Sequence, residues 1–412
     1  MHGDGGHLVR VIRLAWDYPV DGKPSFGLQP VYYYLSKAQA RQGYDVHVVT
    51  KGRGNDYSMV ERGGVTVHRV PEPFSLNAYR AVKKLGAERQ AAIIHTHATC
   101  GLFLAGGRKA LGLPMVSHVH GCSRSAHMPV VLKFGDSTLG YSARANWYGY
   151  FRERLLWSSA DRVLAVSASV KNDLQSTYGI PPDRVDAVYN GVDTTIFRPL
   201  DSPELPHRLD KLRGKRIVLY VGHFGLRKGV VFLIRAMKDV VKEVPDAALV
   251  CVGGVPKWLG TNEYWGYLQR SIAESGLEDR VVLLDRVPND QLPIYYSIAD
   301  AFVLPSYYEA FAKVVIEAMA CGKPVVIARG GGPAEAIEQG VNGLLVDYGS
   351  KEQISEALIT LLQDRGLATK LAQNAVRTVE KRFTWQAVAE RISQSYLTVF
   401  TGFQGASARR PL

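Results

Sequence analysis

From about residue 8 to residue 347 the chain repeats one pattern, a short run of β-branched and aliphatic residues followed by a longer amphipathic stretch. Neighbouring parallel strands need a crossover of a dozen or more residues, usually a helix, so this alternation predicts parallel sheets covered by helices on both faces. In the first half the expected strands are Leu8–Ala15, Asp45–Thr50, Val65–Val70, Ala91–His97, Met115–His120, Arg162–Ser167 and Arg184–Asn190. In the second half they are Arg216–Gly222, Ala247–Gly253, Arg280–Asp285, Ala299–Pro305, Lys323–Ala328 and Gly343–Asp347. A length of 412 residues exceeds one ordinary core, and two doubly wound α/β domains follow.

The polar, proline-rich segment Arg198–His207 cannot continue either sheet and reads as the linker. The expected domains are therefore residues 1–198, residues 199–383, and a C-terminal piece, 384–412, whose helix returns to the N-terminal domain. In that helix Val388, Ile392, Tyr396 and Leu397 recur at helical spacing and need an apolar surface. Residues 402–412 read as a frayed end. Ligands of open α/β sheets bind beyond the carboxyl ends of the strands, so function is expected at strand-to-helix turns, in a cleft faced by both domains.

The four cysteines, Cys100, Cys122, Cys251 and Cys321, have no metal-type spacing and suggest neither a zinc site nor a disulfide framework. The start, Met1–His7, is polar, and Arg10, Arg13 and Asp17 interrupt the apolar stretch after it, unlike a secretory signal. No apolar run approaches the roughly 18 residues of a membrane span. A cytoplasmic protein is expected, soluble or peripheral at the inner membrane face. Residues 1–198 hold 24 Lys and Arg against 15 Asp and Glu, whereas residues 199–412 hold 26 against 23. The basic N-terminal half suits an anionic partner such as a phospholipid surface, although the same excess also serves solubility. Basic and aromatic residues mix in Ser123–Met128, Lys133–Phe134 and Arg144–Trp157, as at a membrane interface or on a helix packed against a sheet. Without a dense basic run, nucleic acid is not an expected partner.

The segment Pro305–Pro324 leaves a strand, turns, and enters a helix closed by Gly322. Glu309 and Glu317 bracket seven residues of it. If the helix opens near Phe311, its first amides can receive a phosphate, and the two carboxylates lie roughly 9–12 Å apart along its axis. That is about the span of a diphosphate with a sugar at each end, and carboxylates accept hydrogen bonds from vicinal hydroxyls. Glu317 also falls among Val314, Val315, Ile316 and Met319, where a buried charge requires a partner. In Gly222–Gly229, another strand-to-helix turn, Lys228 is suited to neutralise charge building on a departing phosphate. The plainer reading of each is a helix-start charge or an exposed lysine.

These segments resemble glycosyltransferase family 4, whose GT-B members carry a Glu-x(7)-Glu motif followed by a helix and a Gly-Lys-Pro turn. The resemblance extends to Asn190-Gly-Val-Asp193, Phe197-Arg-Pro199, Tyr220–Gly229, Gly331–Glu335 and Asn342–Val346. It implies the GT-B fold, two Rossmann-like domains, with a nucleotide-diphosphate sugar held mainly by the second. It further implies that Glu309 contacts hydroxyls of the transferred sugar, the amides of Phe311 and Ala312 its phosphates, and Glu317 the ribose. A histidine at the position of His120 lies beside the reacting sugar in the family, and His95 and His97 end the neighbouring strand. Two departures stand out. Where the family usually has an arginine this chain has His223, without arginine's permanent charge. Where it commonly has two glycines, the turn Phe26-Gly27 keeps one, whose amide is expected near the donor phosphate.

The expectation is thus a retaining hexosyltransferase, with retention implied by the resemblance alone. Its catalytic residues would be His120, Lys228 and Glu309, and its donor contacts Gly27, His223, Lys228, Glu309, Phe311, Ala312 and Glu317. The donor is a UDP- or GDP-sugar, and the acceptor a hydroxyl of a glycolipid, lipid-linked saccharide or polysaccharide precursor. Neither cofactor nor metal is expected, since no Asp-x-Asp motif offers a metal site. A non-catalytic nucleotide-sugar binder and a same-fold phosphorylase or epimerase remain compatible with these residues. A nicotinamide dehydrogenase does not, because no G-x-G-x-x-G turn follows an early strand.

Overall fold

The computed structural model describes residues 9–19, 21–22, 24, 27–52, 57–88, 91–123, 130–134, 137–141, 147–201, 203–255 and 261–407. Side chains of 108–109, 130–134, 137–141, 261–263 and 404–407 are outside that description, as are Phe26, residues 124–129 and 144–146, and the expected frayed end from 408. The chain divides into two compact units: Met1–Ala126, Arg144–Gly191 and Trp385–Leu412 form the first, and His127–Ala143 with Val192–Thr384 the second.

The strands before residue 192 are β1 (Arg10–Ala15), β2 (Asp45–Lys51), β3 (Ser58–Arg62), β4 (Val65–Val70), β5 (Ala92–His97), β6 (Met115–Val119), β7 (Val130–Phe134), β8 (Ser137–Tyr141), β9 (Arg162–Ala165) and β10 (Val185–Ala187). Between them lie α1 (Gln29–Arg41), α2 (Phe74–Ala87), α3 (Leu104–Leu111), α4 (Trp147–Ser159) and α5 (Ala168–Ser176). Unit 1 orders its sheet β10-β9-β6-β5-β1-β2-β4-β3, with every pair parallel except β3 on β4. β7 and β8 pair only with each other, as an antiparallel hairpin that clusters with unit 2.

Unit 2 contains β11 (Arg216–Val221), β12 (Ala247–Val252), β13 (Val281–Leu284), β14 (Ala301–Leu304), β15 (Val325–Ala328) and β16 (Leu344–Val346). They form one parallel sheet in the order β13-β12-β11-β14-β15-β16. Its helices are α6 (Val230–Glu243), α7 (Thr261–Glu274), α8 (Leu292–Ile298), α9 (Lys313–Ala320), α10 (Gly331–Ala334), α11 (Lys351–Gln363) and α12 (Arg365–Arg382). The segment Arg198–His207, described except at residue 202, runs without helix or strand to a 3-10 turn at His207–Leu212 and belongs to unit 2.

All thirteen expected strands are present, most of them shortened at the ends. β1, β5, β12, β14 and β15 are buried along their whole length, as strands covered on both faces must be. β3, β7 and β8 were not expected. β3 is a mostly exposed edge strand, Ser-Met-Val-Glu-Arg, with no apolar run to announce it.

The final helix, α13 (Trp385–Ser407), packs within unit 1. Trp385, Val388, Ile392, Tyr396 and Val399 join Val31 and Leu35 of α1 over Val11, Ile93, Val116 and Leu164 of the sheet. Leu397 corrects the sequence expectation: it is 64% exposed, because one residue beyond Tyr396 the helix has turned about 100° toward solvent, and Val399 is the buried residue instead. No described helix is long and apolar enough to cross a membrane. If this face covers the sheet, Ile392→Ala will lower unfolding free energy by about 2–5 kcal/mol and Leu397→Ala by less than about 0.5 kcal/mol in chemical denaturation.

Candidate functional site

In unit 2, β11 sits between β12 and β14, so the connections leaving its two neighbours run in opposite directions across the sheet. Such a reversal opens a crevice at the carboxyl ends of the two central strands. There β11 runs into Gly222-His-Phe-Gly225 and the 3-10 turn Leu226–Lys228, and β14 runs into Pro305–Ala312. Close backbone approach holds the two loops together. Gly229 has φ +71°, and a Cβ there would lie 2.2 Å from the Pro305 carbonyl oxygen. A Cβ on Gly331, at φ +65°, would lie 2.3 Å from the carbonyl oxygen of Glu309, and the neighbouring Gly332 amide donates to that same oxygen at 2.8 Å. Only glycine fits at 229 and 331 without displacing the loop that carries Glu309.

Lys228 is not the exposed lysine of the plainer sequence reading; it is 7% exposed, and its Nζ lies 2.6 Å from Glu309 Oε1. Arg227 completes the group: its guanidinium donates to the same carboxylate oxygen at 3.0 Å and to the Tyr308 carbonyl. Burial alone raises a carboxyl's pKa, but Lys228 and Arg227 outweigh it and hold Glu309 below the ordinary glutamate value. Two cations thus face one anion, which leaves positive charge at the end of the crevice. His223 adds none at neutral pH, since burial and the neighbouring Lys228 bring its pKa down to about 4.

The helix after β14 opens at Lys313, not near Phe311. Ala312 is extended, at φ −90° and ψ 100°, and caps the helix, so Phe311 stands before it with its ring against Phe383. Phe311 and Ala312 therefore approach the helix end as loop residues. Glu317 lies on the second turn of α9 and has the partner its apolar neighbours required: Tyr296 Oη donates to Glu317 Oε2 at 3.0 Å. Burial raises the Glu317 pKa, with Lys313 and Tyr296 only partly offsetting it.

In unit 1 the order reverses between β1 and β5. Gly27, at φ +58°, lies in the turn ahead of α1. His120 follows β6, beside His95 and His97 of β5 and His118 of β6. His95, His97 and His118 are buried, and burial depresses each pKa well below that of free histidine. They bring ring nitrogens within 4.8 Å of one another, yet they do not suit a metal. The ring planes lie within 12° to 32° of parallel, so in-plane lone pairs run side by side instead of converging. The Arg13 guanidinium also lies 3.2 Å from His97, with no carboxylate in the group.

Sequence reasoning missed Arg227, although it stands beside Lys228, and it missed Tyr296, whose 21-residue distance from Glu317 carries no local signal. Arg13 was read only as an interruption of an apolar run; its charge inside a strand pattern was the available clue.

Residues 201–378 match the family described as Glycosyl transferases group 1, and residues 27–196 match Glycosyltransferase Family 4. The D-inositol 3-phosphate glycosyltransferase of Acidothermus cellulolyticus is 30% identical over 414 residues, covering 93% of this chain and 88% of its own length. Among solved structures, sucrose-phosphate synthase from Thermosynechococcus elongatus superposes with a TM-score of 0.73 at 24% identity, over 95% of this chain and 100% of its own. Anabaena HepE in complex with UDP does so with a TM-score of 0.71 at 22% identity, with the same coverage. At these identities the structures speak for the fold.

The depressed Glu309 pKa fixes the sign of a pH effect. Its contribution to stability is fully present above the ordinary value of 4.5 and is lost as pH falls through the lower folded-state value. Thermal midpoints measured between pH 7 and pH 3 are expected to fall less steeply for Glu309→Gln than for the wild type; parallel curves would contradict the ion pair.

Proposed function

This chain belongs to the glycosyltransferases of group 1 and family 4, and on that premise we propose that it moves a hexosyl unit from a nucleotide-diphosphate sugar to a hydroxyl acceptor with retention of anomeric configuration. The observation that carries the reading is the Lys228–Glu309–Arg227 group at the strand reversal of unit 2, with Lys228 buried and its two partners half-buried. A diphosphate leaving group needs positive charge that is already in place, because reorienting solvent during the reaction would cost free energy. Glu309 holds Lys228 and Arg227 at one point and keeps oxygen atoms available for sugar hydroxyls.

In the proposed reaction the acceptor oxygen bonds to the anomeric carbon on the face the diphosphate leaves. The bond from that carbon to the phosphate oxygen breaks, and the acceptor proton passes to the departing phosphate. The products are the glycoside and a nucleoside diphosphate. Lys228 and Arg227 stabilise the leaving charge, which gives the protein groups the role a metal ion has in other transferases. The amides of Phe311 and Ala312 hold phosphate oxygens, His223 serves as an uncharged hydrogen-bonding group, and Glu317 takes the ribose hydroxyls. From unit 1, Gly27 contributes a backbone amide and His120 meets the transferred sugar. The HepE structures with UDP and UDP-glucose support a UDP-sugar over a GDP-sugar, and the name of the Acidothermus relative supports a hydroxyl acceptor that carries phosphate.

A second reading concerns where the acceptor is met. On α4, Trp147, Tyr148, Phe151 and Leu155 are exposed, while Tyr150, Glu153, Leu156 and Trp157 are buried. Glu153 anchors the helix by accepting from the Ser123 amide and hydroxyl and from Tyr178 Oη at 2.6 Å. An aromatic face beside Arg152 and Arg154 suits the interface of an anionic membrane, where the protein would be peripheral on the cytoplasmic side.

Two measurements test these readings. In a thermal-shift screen a UDP- or GDP-sugar at 100 times its Kd should stabilise the wild type by about 2.7 kcal/mol. Lys228→Ala should lower kcat about 10²- to 10³-fold, and Glu309→Ala should also lose turnover; full activity in Glu309→Ala removes its assigned role. For α4, sedimentation with vesicles containing phosphatidylglycerol should deplete the wild type from solution but not Trp147→Ser/Phe151→Ser. Equal depletion of both proteins would reject the membrane reading.

A further inference from the structure

The chemistry at His120 is constrained by a side chain far from it in sequence. Arg13, in the middle of β1, is fully buried. Arginine keeps its charge and has only donors to offer. Its terminal nitrogens donate to Ser36 Oγ and Gln39 Oε1 on α1, and its Nε donates to His97 Nε2 at 3.2 Å. The Gln39 amide nitrogen donates in turn to Tyr396 Oη of α13 at 3.2 Å, and Tyr396 Oη lies 2.5 Å from His95 Nδ1. The guanidinium plane is therefore held from α1, α13 and the sheet.

An imidazole nitrogen that accepts a hydrogen bond carries no proton. His97 Nε2 accepts from Arg13, and burial keeps the His97 ring neutral, so its one proton is on Nδ1. That nitrogen is 3.0 Å from His120 Nε2. The His97 Nδ1–H donates, the His120 Nε2 lone pair accepts, and the proton of a neutral His120 is left on Nδ1. The opposite polarity would set the Arg13 N–H against a protonated His97 Nε2.

The geometry points to Arg13 as a positioning residue that, acting through His97, fixes the ring of His120 with its lone pair occupied and its proton on Nδ1. His120 then cannot take the acceptor's proton without breaking its bond to His97, and the one N–H it has left to offer the transferred sugar is on Nδ1, which is buried. This rests on the reading above that His120 meets the sugar, and it assigns the histidine to hydrogen-bond donation and not to general-base catalysis.

The test is two-bond proton–nitrogen correlation spectroscopy of the full chain labelled with 15N-histidine, with His97→Leu and His120→Ala assigning the signals. The wild type should show His97 and His120 each as the Nδ1–H tautomer; an Nε2–H signal from either overturns the inference. Arg13→Gln should mix the tautomers of His97 and His120 and lower kcat about 10- to 100-fold, with little change in KM for the donor. A single unchanged Nδ1–H tautomer in Arg13→Gln would also overturn it. Should Arg13→Gln fail to fold, His97→Leu provides the same comparison at His120. Full activity in His120→Ala would instead sink the sugar contact while leaving the tautomer result intact, so the two failures are distinguishable.

Discussion

Parallel strand pairing governs this molecule. A parallel sheet cannot be closed by hairpins, so each strand must be followed by a crossover long enough to return the chain, and both faces are covered in the process. In unit 1 that cover includes α13, the last described element of the chain, packed with α1 on Val11, Ile93, Val116 and Leu164. The same geometry leaves strand ends and loops where the connections reverse direction. Both groups of candidate residues follow strands beside those reversals, β11 and β14 in unit 2 and β5 and β6 in unit 1.

Charge in these places is dear, and the two units handle it differently. Glu309 in unit 2 faces Lys228 and Arg227, so charge is compensated by opposite charge, and the group can exchange partners with an incoming anion. Among the described residues Arg13 in unit 1 is hydrogen-bonded to no carboxylate; its donors go to a hydroxyl, an amide and imidazoles. Such a network has little freedom, because the one member that cannot change protonation state dictates the proton positions of the rest. The first arrangement suits binding and release of a diphosphate. The second suits holding a ring still.

Family membership and fold settle that the chain is a glycosyltransferase of GT-B type. What distinguishes it within that frame is local. His223 is neutral at the position where the sequence resemblance led to an expectation of arginine, and Arg227, next to Lys228, supplies a guanidinium from another position on the same turn. A fixed positive charge thus stands beside Glu309 although His223 supplies none.

The order and kind of the elements were legible in the sequence because they depend on local periodicity: thirteen strands, the helices between them, and the turns that carry Lys228, Glu309 and His120. The edge strand β3 escaped because it buries no face, and Leu397 was misplaced because periodicity assigns a face only to within a residue. The opening of α9 at Lys313 follows an extended Ala312, in a loop whose Glu309 carbonyl Gly331 and Gly332 approach from over twenty residues away, and local periodicity carries no sign of either. Pairings such as Lys228 with Glu309, Tyr296 with Glu317, and Arg13 with His97 belong to the tertiary structure alone. Hydrogen bonds and ion pairs act over a few ångströms, and only the folded sheet brings residues separated by about twenty to eighty positions within that range.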